Sequence, residues 1–258
     1  MAVDLLIRGG RVIDGTGAPA FEGDVGVREG RIVQVGRVDE PAHRVIDAAG
    51  CVVAPGFIDP HTHYDAQVCW DPTMSPSPWH GVTTVLMGNC GVGIAPSRAE
   101  GRVPAMQDLV NVEGMPYDVM ERGITWDWES FPQFMEATLA RRPAVNVGFL
   151  APLTPFRSYV MGEAAMERAA NDDERSRITA LIEQAMAAGA LGFSTTELPN
   201  HLGYKGRPIA CRLADDAELR DYAGVLRKAQ RGLIEIALTQ QMSVLSDQNL
   251  ARLEFLLR

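Results

Sequence analysis

His61 and His63 stand two residues apart in GFIDPHTHYD, at the end of an apolar run that reads as a strand. Side chains two apart on a strand share a face, so the two imidazoles are expected to converge on one point. Converging neutral imidazoles suit a divalent metal such as zinc, which takes nitrogen and sulfur donors. One apolar run later, HGVTTVLMGNCGVGIAP ends its strand in Gly88, Asn89, Cys90 and Gly91, where a thiolate would add a third donor. Spacing alone leaves Cys90 equally readable as a small buried filler, the common fate of a free cysteine. Asp65, just beyond the pair, is placed to orient a ligand. His201 follows STTELPN near Glu197 and reads either as a solvated loop histidine or as a group reaching a substrate or a metal; Glu197 likewise is a solvated carboxylate or an oxygen ligand. Arg157, Lys205 and Arg207 are cations that could grip a substrate carboxylate. His43 is expected at the surface, and His80 in packing or capping at the entry to a strand.

The elements that would position these groups fall into two patterns. Residues 1–54 are short β-rich pieces separated by Asp-Gly, Glu29-Gly30 and Ala-Gly turn signals, which predict a small sheet or sandwich. From Val52 onward, the apolar runs CVVAPGFID, VTTVLMG, AVNVGFLA, GALGFSTTE and GLIEIALT alternate with amphipathic segments. Uniformly apolar, β-branched runs suit parallel strands covered on both faces. Ile178, Leu181, Ile182, Ala185 and Met186 define one helical face, led in by Asp172, Asp173 and Glu174 and stopped by Gly189. Asp215 to Gln230 repeats the design, and a last helix starts at Ser246. Strand-helix repetition predicts an α/β architecture for residues 55–258, a parallel sheet that is open or closed into a barrel, with about five β/α units. An insertion at about 95–142, carrying Trp126 and Trp128, is readable as a pocket wall or as a structural cover.

Composition narrows the classes. An apolar fraction of 46% and a charged fraction of 22% are those of a soluble globular protein, and a net charge of -9 argues against nucleic acid or an anionic membrane as partner. The start MAVDLLIRGG lacks a basic region and a long apolar core, and no stretch approaches a membrane span, so a cytoplasmic location is the expectation. Cys51, Cys69, Cys90 and Cys211 show no CxxC pairing and are expected to be free thiols apart from any ligand among them.

DLLIRGGRVIDGTG, APGFIDPHTHYD and HGVTTVLMGNCGVGIAP together resemble the amidohydrolase superfamily, and within it the N-acyl-D-amino-acid deacylase (D-aminoacylase) branch. NVGFLAPLTPFRSYVMG and GALGFSTTELP are weaker anchors. The resemblance implies a metal-dependent hydrolase (β/α)8 TIM-like barrel with a small β-sandwich assembled from both chain ends, and a metal-activated water that hydrolyses a linear amide C–N bond. It places the family's metal ligands on His61, His63 and Cys90, with one or two zinc ions, and makes a small N-acyl amino acid the expected substrate. Departures accompany it. A Gly-His pair after strand three is replaced by Pro152 and Leu153, and a Thr-His-x-Arg segment at strand five by IEIALTQQ, Ile234 to Gln241. The catalytic aspartate is expected beyond Arg258, which makes this the amino-terminal part of such an enzyme, completed by a carboxy-terminal half. The alternative is a non-catalytic homologue that binds metal or self-associates. A cyclic-amide hydrolase would favour a lysine at strand four, and GALGFSTTE offers none.

Overall fold

The computed structural model describes residues 2–239 and 244–257. They divide into two compact units, Met1–Phe57 and Ile58–Arg258, three residues later than the boundary the turn signals suggest.

In the first unit β1 (Val3–Val12) is the centre of one mixed sheet. It pairs antiparallel with β2 (Phe21–Arg28), and β2 antiparallel with β3 (Arg31–Gly36). Glu29 and Gly30 join them with φ of 51° and 71°, the doubly left-handed turn that matches strand twist. On its other side β1 pairs parallel with β4 (Ala42–Asp47) and β5 (Val52–Val53). Of the sheet or sandwich expected here, these residues form a single five-stranded sheet. The reason is visible in burial: Val3, Leu6 and Val38 make a small core, whereas Ile32, Val33, Val35, Val45 and Ile46 remain exposed, so these residues supply one layer and not two.

The second unit is built on parallel strands. β6 (Phe57–Asp59), β7 (Val82–Met87) and β8 (Asn146–Phe149) are neighbours in one sheet, and β9 (Ala151–Pro152), β10 (Gly192–Thr196) and β11 (Leu233–Ala237) in another. β7 and β8 are parallel, as are β9, β10 and β11. Leu150 separates β8 from β9, yet its N–H still bonds the Met87 carbonyl at 2.9 Å, so the two pieces continue one strand position. Each of the five apolar runs thus carries a strand, and helix follows β7, the β8–β9 position, β10 and β11.

Residues 95–142 fold into α1 (Arg102–Glu113), α2 (Tyr117–Gly123) and α3 (Phe131–Ala140). Trp128, Phe131 and Phe134 of this segment are buried, with Trp128 and Phe134 ring centres 5.0 Å apart, so the insertion is in large part structural cover. α4 (Leu153–Met161) leaves directly from β9. α5 (Asp172–Ala187) is opened by a reciprocal cap, the Asn171 side chain accepting from the Glu174 N–H and the Glu174 carboxylate from the Asn171 N–H, both at 2.9 Å. α6 (Asp216–Ala229) is capped by Asp215 and ends at Gln230 in the left-handed conformation. α7 (Asp247–Leu257) begins after Ser246, whose hydroxyl accepts from the Asn249 N–H. Among the described residues no helix is long and apolar enough to cross a membrane. Cys51, Cys69, Cys90 and Cys211 are free.

Candidate metal centre

The histidine pair lies just past β6 and not within a strand, a correction to the expected placement. Its convergence survives because Thr62, between the two, is tied to β7: the Thr62 N–H and hydroxyl both bond the Leu86 carbonyl, at 3.0 and 2.6 Å. The intervening residue is thereby held in extended register, which sends its neighbours to a common side. The imidazole centres are 5.3 Å apart.

Cys90 arrives from the end of β7 through a tight turn, Asn89–Gly91, with its own φ at +54°. Three attachments hold that unfavourable backbone. The buried Asn89 amide donates to the carbonyls of Thr62 and Leu86, and the Gly91 N–H bonds Ser194 Oγ at 3.0 Å. The Cys90 N–H bonds Glu235 Oε2 at 2.7 Å. Gly88 has φ +87°, and a Cβ there would lie 2.1 Å from the Leu150 carbonyl oxygen, so only glycine fits. Asp65, buried, accepts the Gly88 N–H at 3.2 Å and anchors the turn rather than a ligand.

The donor atoms of His61, His63 and Cys90 all lie within 4.8 Å of one another. His61 Nε2 is 3.3 Å from Cys90 Sγ. Bonds of about 2.0 Å to nitrogen and 2.3 Å to sulfur at a tetrahedral angle put those atoms roughly 3.5 Å apart, so the spacing fits an ion between them. His63 Nδ1 is buried without a partner, and where it carries the ring's lone pair an ion would satisfy it.

Electrostatics around the three donors are acidic. Asp65, Glu113 and Glu235 are each pushed up to about 7, chiefly by burial, and Glu235 raises Glu113 further. Burial also drives the Cys90 thiol up, reinforced by Glu235 and Glu113. His63 is pushed down to about 4 by burial and by its histidine neighbours, and His61 is lowered by burial. Neutral imidazoles and a set of acids, Asp65 buried and Glu113 and Glu235 partly so, with no lysine or arginine paired to them among the described residues, make a place for a cation.

Other sequence candidates separate from this group. Arg157 is fully buried, its Nε 2.9 Å from Glu218 Oε2, with further bonds to the carbonyls of Ala165, Ala210 and Arg168. Every donor is consumed inside the fold, so the substrate-gripping expectation for Arg157 is corrected to a structural ion pair. His201 is half-buried and close enough to His63 to disfavour its protonation, and its Nδ1 is buried without a partner. Glu197 pairs with Arg252, Arg207 with Glu167 at 3.5 Å, and Lys205 lies over the Tyr204 ring. His43 and His80 are exposed. Gln240 and Gln241, at the end of the segment compared with a Thr-His-x-Arg motif, lie outside the described residues.

Two residues beside the candidate site escaped the sequence reading. Glu113 ends α1, with Oε2 3.2 Å from His63 Nε2, and Glu235 sits mid-strand in β11 with Oε1 3.8 Å from His61 Nδ1. A carboxylate inside the apolar run LIEIA was the available signal for Glu235. Nothing local marks Glu113, whose helix comes from the insertion.

A parallel-stranded α/β unit with a His-x-His pair at one strand end and a cysteine at the next has the form of a metal-dependent hydrolase. Comparison with known proteins gives the family: residues 44–253 match the amidohydrolase family, and the chain belongs to it. It is 40% identical over 193 residues to the D-aminoacylase of Alcaligenes xylosoxydans xylosoxydans, a match covering 74% of this chain and 37% of that protein. Among solved structures, N-acyl-D-glutamate deacylase from Bordetella bronchiseptica, complexed with zinc and a phosphonate inhibitor, superposes with a TM-score of 0.77 at 32% identity over 100% of this chain and 48% of that one. A D-aminoacylase structure concerned with that enzyme's binuclear metal centre gives a TM-score of 0.77 at 34% identity, over 98% and 48%. The chain thus spans about half or less of the length of the relatives it matches.

Proposed function

We propose that this chain carries the first half of the metal site of a linear-amide hydrolase acting on N-acyl-D-amino acids, with zinc as the ion, and that its parallel strands are about five units of a (β/α)8 TIM-like barrel. The observation that carries the reading is the convergence of His61, His63 and Cys90 within 4.8 Å at strand ends. The likeness to deacylases extends over most of the chain and supports the substrate class.

A bound zinc ion supplies Lewis-acid polarisation of a carbonyl and acidification of water. This chain's residues supply the rest of the half-site. Thr62 and Asn89 lock the ligand-bearing segments to each other through shared carbonyls. Burial lowers His63 to about 4 and lowers His61 as well, which favours neutral rings with a nitrogen lone pair available. Asp65 and Ser194 hold the Gly88–Gly91 turn so that Cys90 faces His61. The proton-transferring aspartate and further ligands are proposed to come from sequence outside these residues, on the same polypeptide or on a complementing one.

Zinc content of the purified protein tests the site. The parent is expected to bind zinc, and His63→Ala and Cys90→Ser each to lose most of it. Zinc near zero in the parent, or unchanged in both variants, removes the metal reading. Hydrolysis of N-acetyl-D-amino acids with added zinc is expected only when the remaining barrel strands are supplied. Equal turnover by a zinc-only control leaves the non-catalytic alternative.

A further inference from the structure

Each histidine of the centre has a carboxylate at one ring nitrogen, and the two rings are turned opposite ways. His61 presents Nε2 to Cys90 Sγ at 3.3 Å and Nδ1 to Glu235 Oε1 at 3.8 Å. His63 presents Nε2 to Glu113 Oε2 at 3.2 Å, while its Nδ1 is buried and has no partner. Glu235 has a hydrogen bond as well: its Oε2 accepts the Cys90 N–H at 2.7 Å, so one carboxylate holds the backbone of the cysteine and stands 3.8 Å from the imidazole that faces it. The two glutamates come from different places in the chain, one from the middle of β11 and the other from the last residue of α1. Neither carboxylate is paired with a lysine or arginine among the described residues.

A neutral imidazole carries one proton, and a carboxylate beside one ring nitrogen draws the proton to that side. The other nitrogen is then left with its lone pair. We propose that Glu235 and Glu113 are positioning residues that set the tautomers of His61 and His63, so that His61 offers Nε2 and His63 offers Nδ1 to the ion. The buried, unpartnered Nδ1 of His63 is the nitrogen this assignment leaves free, and Nε2 of His61 is the one already facing the thiol. Glu235 does more than orient a ring. Through the Cys90 N–H it fixes the left-handed residue that brings the sulfur to His61, and it couples β11 to the ends of β6 and β7. The inference deepens the metal-centre reading and depends on it for the purpose of the tautomers, though not for the tautomers themselves.

Long-range proton–nitrogen correlation spectra of the metal-free protein, assigned by single histidine replacements, report the tautomer of each ring directly. In the parent at mildly alkaline pH, His61 is expected to be protonated at Nδ1 and His63 at Nε2. Glu235→Gln is expected to mix the tautomers of His61 alone, and Glu113→Gln those of His63 alone. Glutamine keeps the shape and can still accept the Cys90 N–H, so the turn is retained. Zinc affinity is expected to fall about 10- to 100-fold in each variant, with unchanged stoichiometry. Reversed tautomers in the parent, or tautomers unchanged in both variants, would overturn the proposal. A parent that shows the stated tautomers yet binds no zinc removes the metal-centre reading and leaves the tautomer assignment intact.

Discussion

Burial without a partner and burial with one have opposite meanings at the scale of a residue. The Arg157 guanidinium has no exposed surface, yet its bonds to Glu218 and to backbone carbonyls leave nothing unsatisfied, whereas His63 Nδ1 is buried and bonded to nothing. The first arrangement is structural. Arg157→Ala strands the Glu218 carboxylate against Tyr222 and the Ala170 N–H. Removing one member of a buried pair costs about 3–5 kcal/mol, and that loss is expected in urea unfolding of the variant. Zinc stoichiometry is expected to stay at the parent's value; its loss in a variant that remains folded would return Arg157 to the site. The sequence could not make this distinction, because an arginine after an apolar run reads the same whether its partner lies outside or, as here, 61 residues further along the chain. The grouping of His61 with His63 was legible from their spacing, and Cys90 joined them only through the resemblance, since spacing alone left it equally readable as a buried filler. Glu113 and Glu235 were not, since glutamate is ordinary on a helix and only its depth in the fold makes it unusual.

At the scale of elements, the helices were legible from their ends. The Asn171–Glu174 cap and the Asp215 cap sit beside the expected starts, because capping is local and written in neighbouring residues. The strand-end turns were not, because Gly88 and Cys90 adopt left-handed conformations imposed by Leu150 and Ser194 from distant strands. Two substitutions separate these kinds of information. Asn171→Ala removes a cap and is expected to cost about 1 kcal/mol while leaving zinc binding unchanged. Gly88→Ala sets a Cβ against the Leu150 carbonyl at positive φ and is expected to cost at least about 2 kcal/mol. It also displaces Cys90, so zinc affinity is expected to fall with stability. Paired measurements of unfolding and zinc affinity decide the matter: a Gly88→Ala protein with the parent's affinity would show that the turn does not place the thiol.

At the scale of the whole molecule, the acidic centre links stability to pH and to metal. Asp65, Glu113 and Glu235 titrate near 7 when folded, against about 4 in an unfolded chain. The folded state therefore holds protons that the unfolded state has released, and their contribution is lost as pH rises from about 4 through 7. Asp108, pushed up to about 6 by burial, acts in the same direction. Histidines act oppositely. His63 near 4 when folded, together with the lowered His61 and His201, is protonated first in the unfolded chain, so acidification below about 6.5 costs stability. Between pH 8 and about 6.5 the carboxylates act alone, and the metal-free protein is expected to gain thermal stability as the solution is acidified; below that the two sets offset and the gain levels off. Zinc reverses the slope, because it requires deprotonated donors and stabilises only the folded chain, so its stabilising increment is expected to grow from pH 6.5 to 8. Thermal unfolding with a chelator and with excess zinc, across that range, checks both signs. A metal-free Tm that rises with pH over this interval would mean that the buried carboxylates are ionised and compensated by the fold itself, and the place for a cation would be lost.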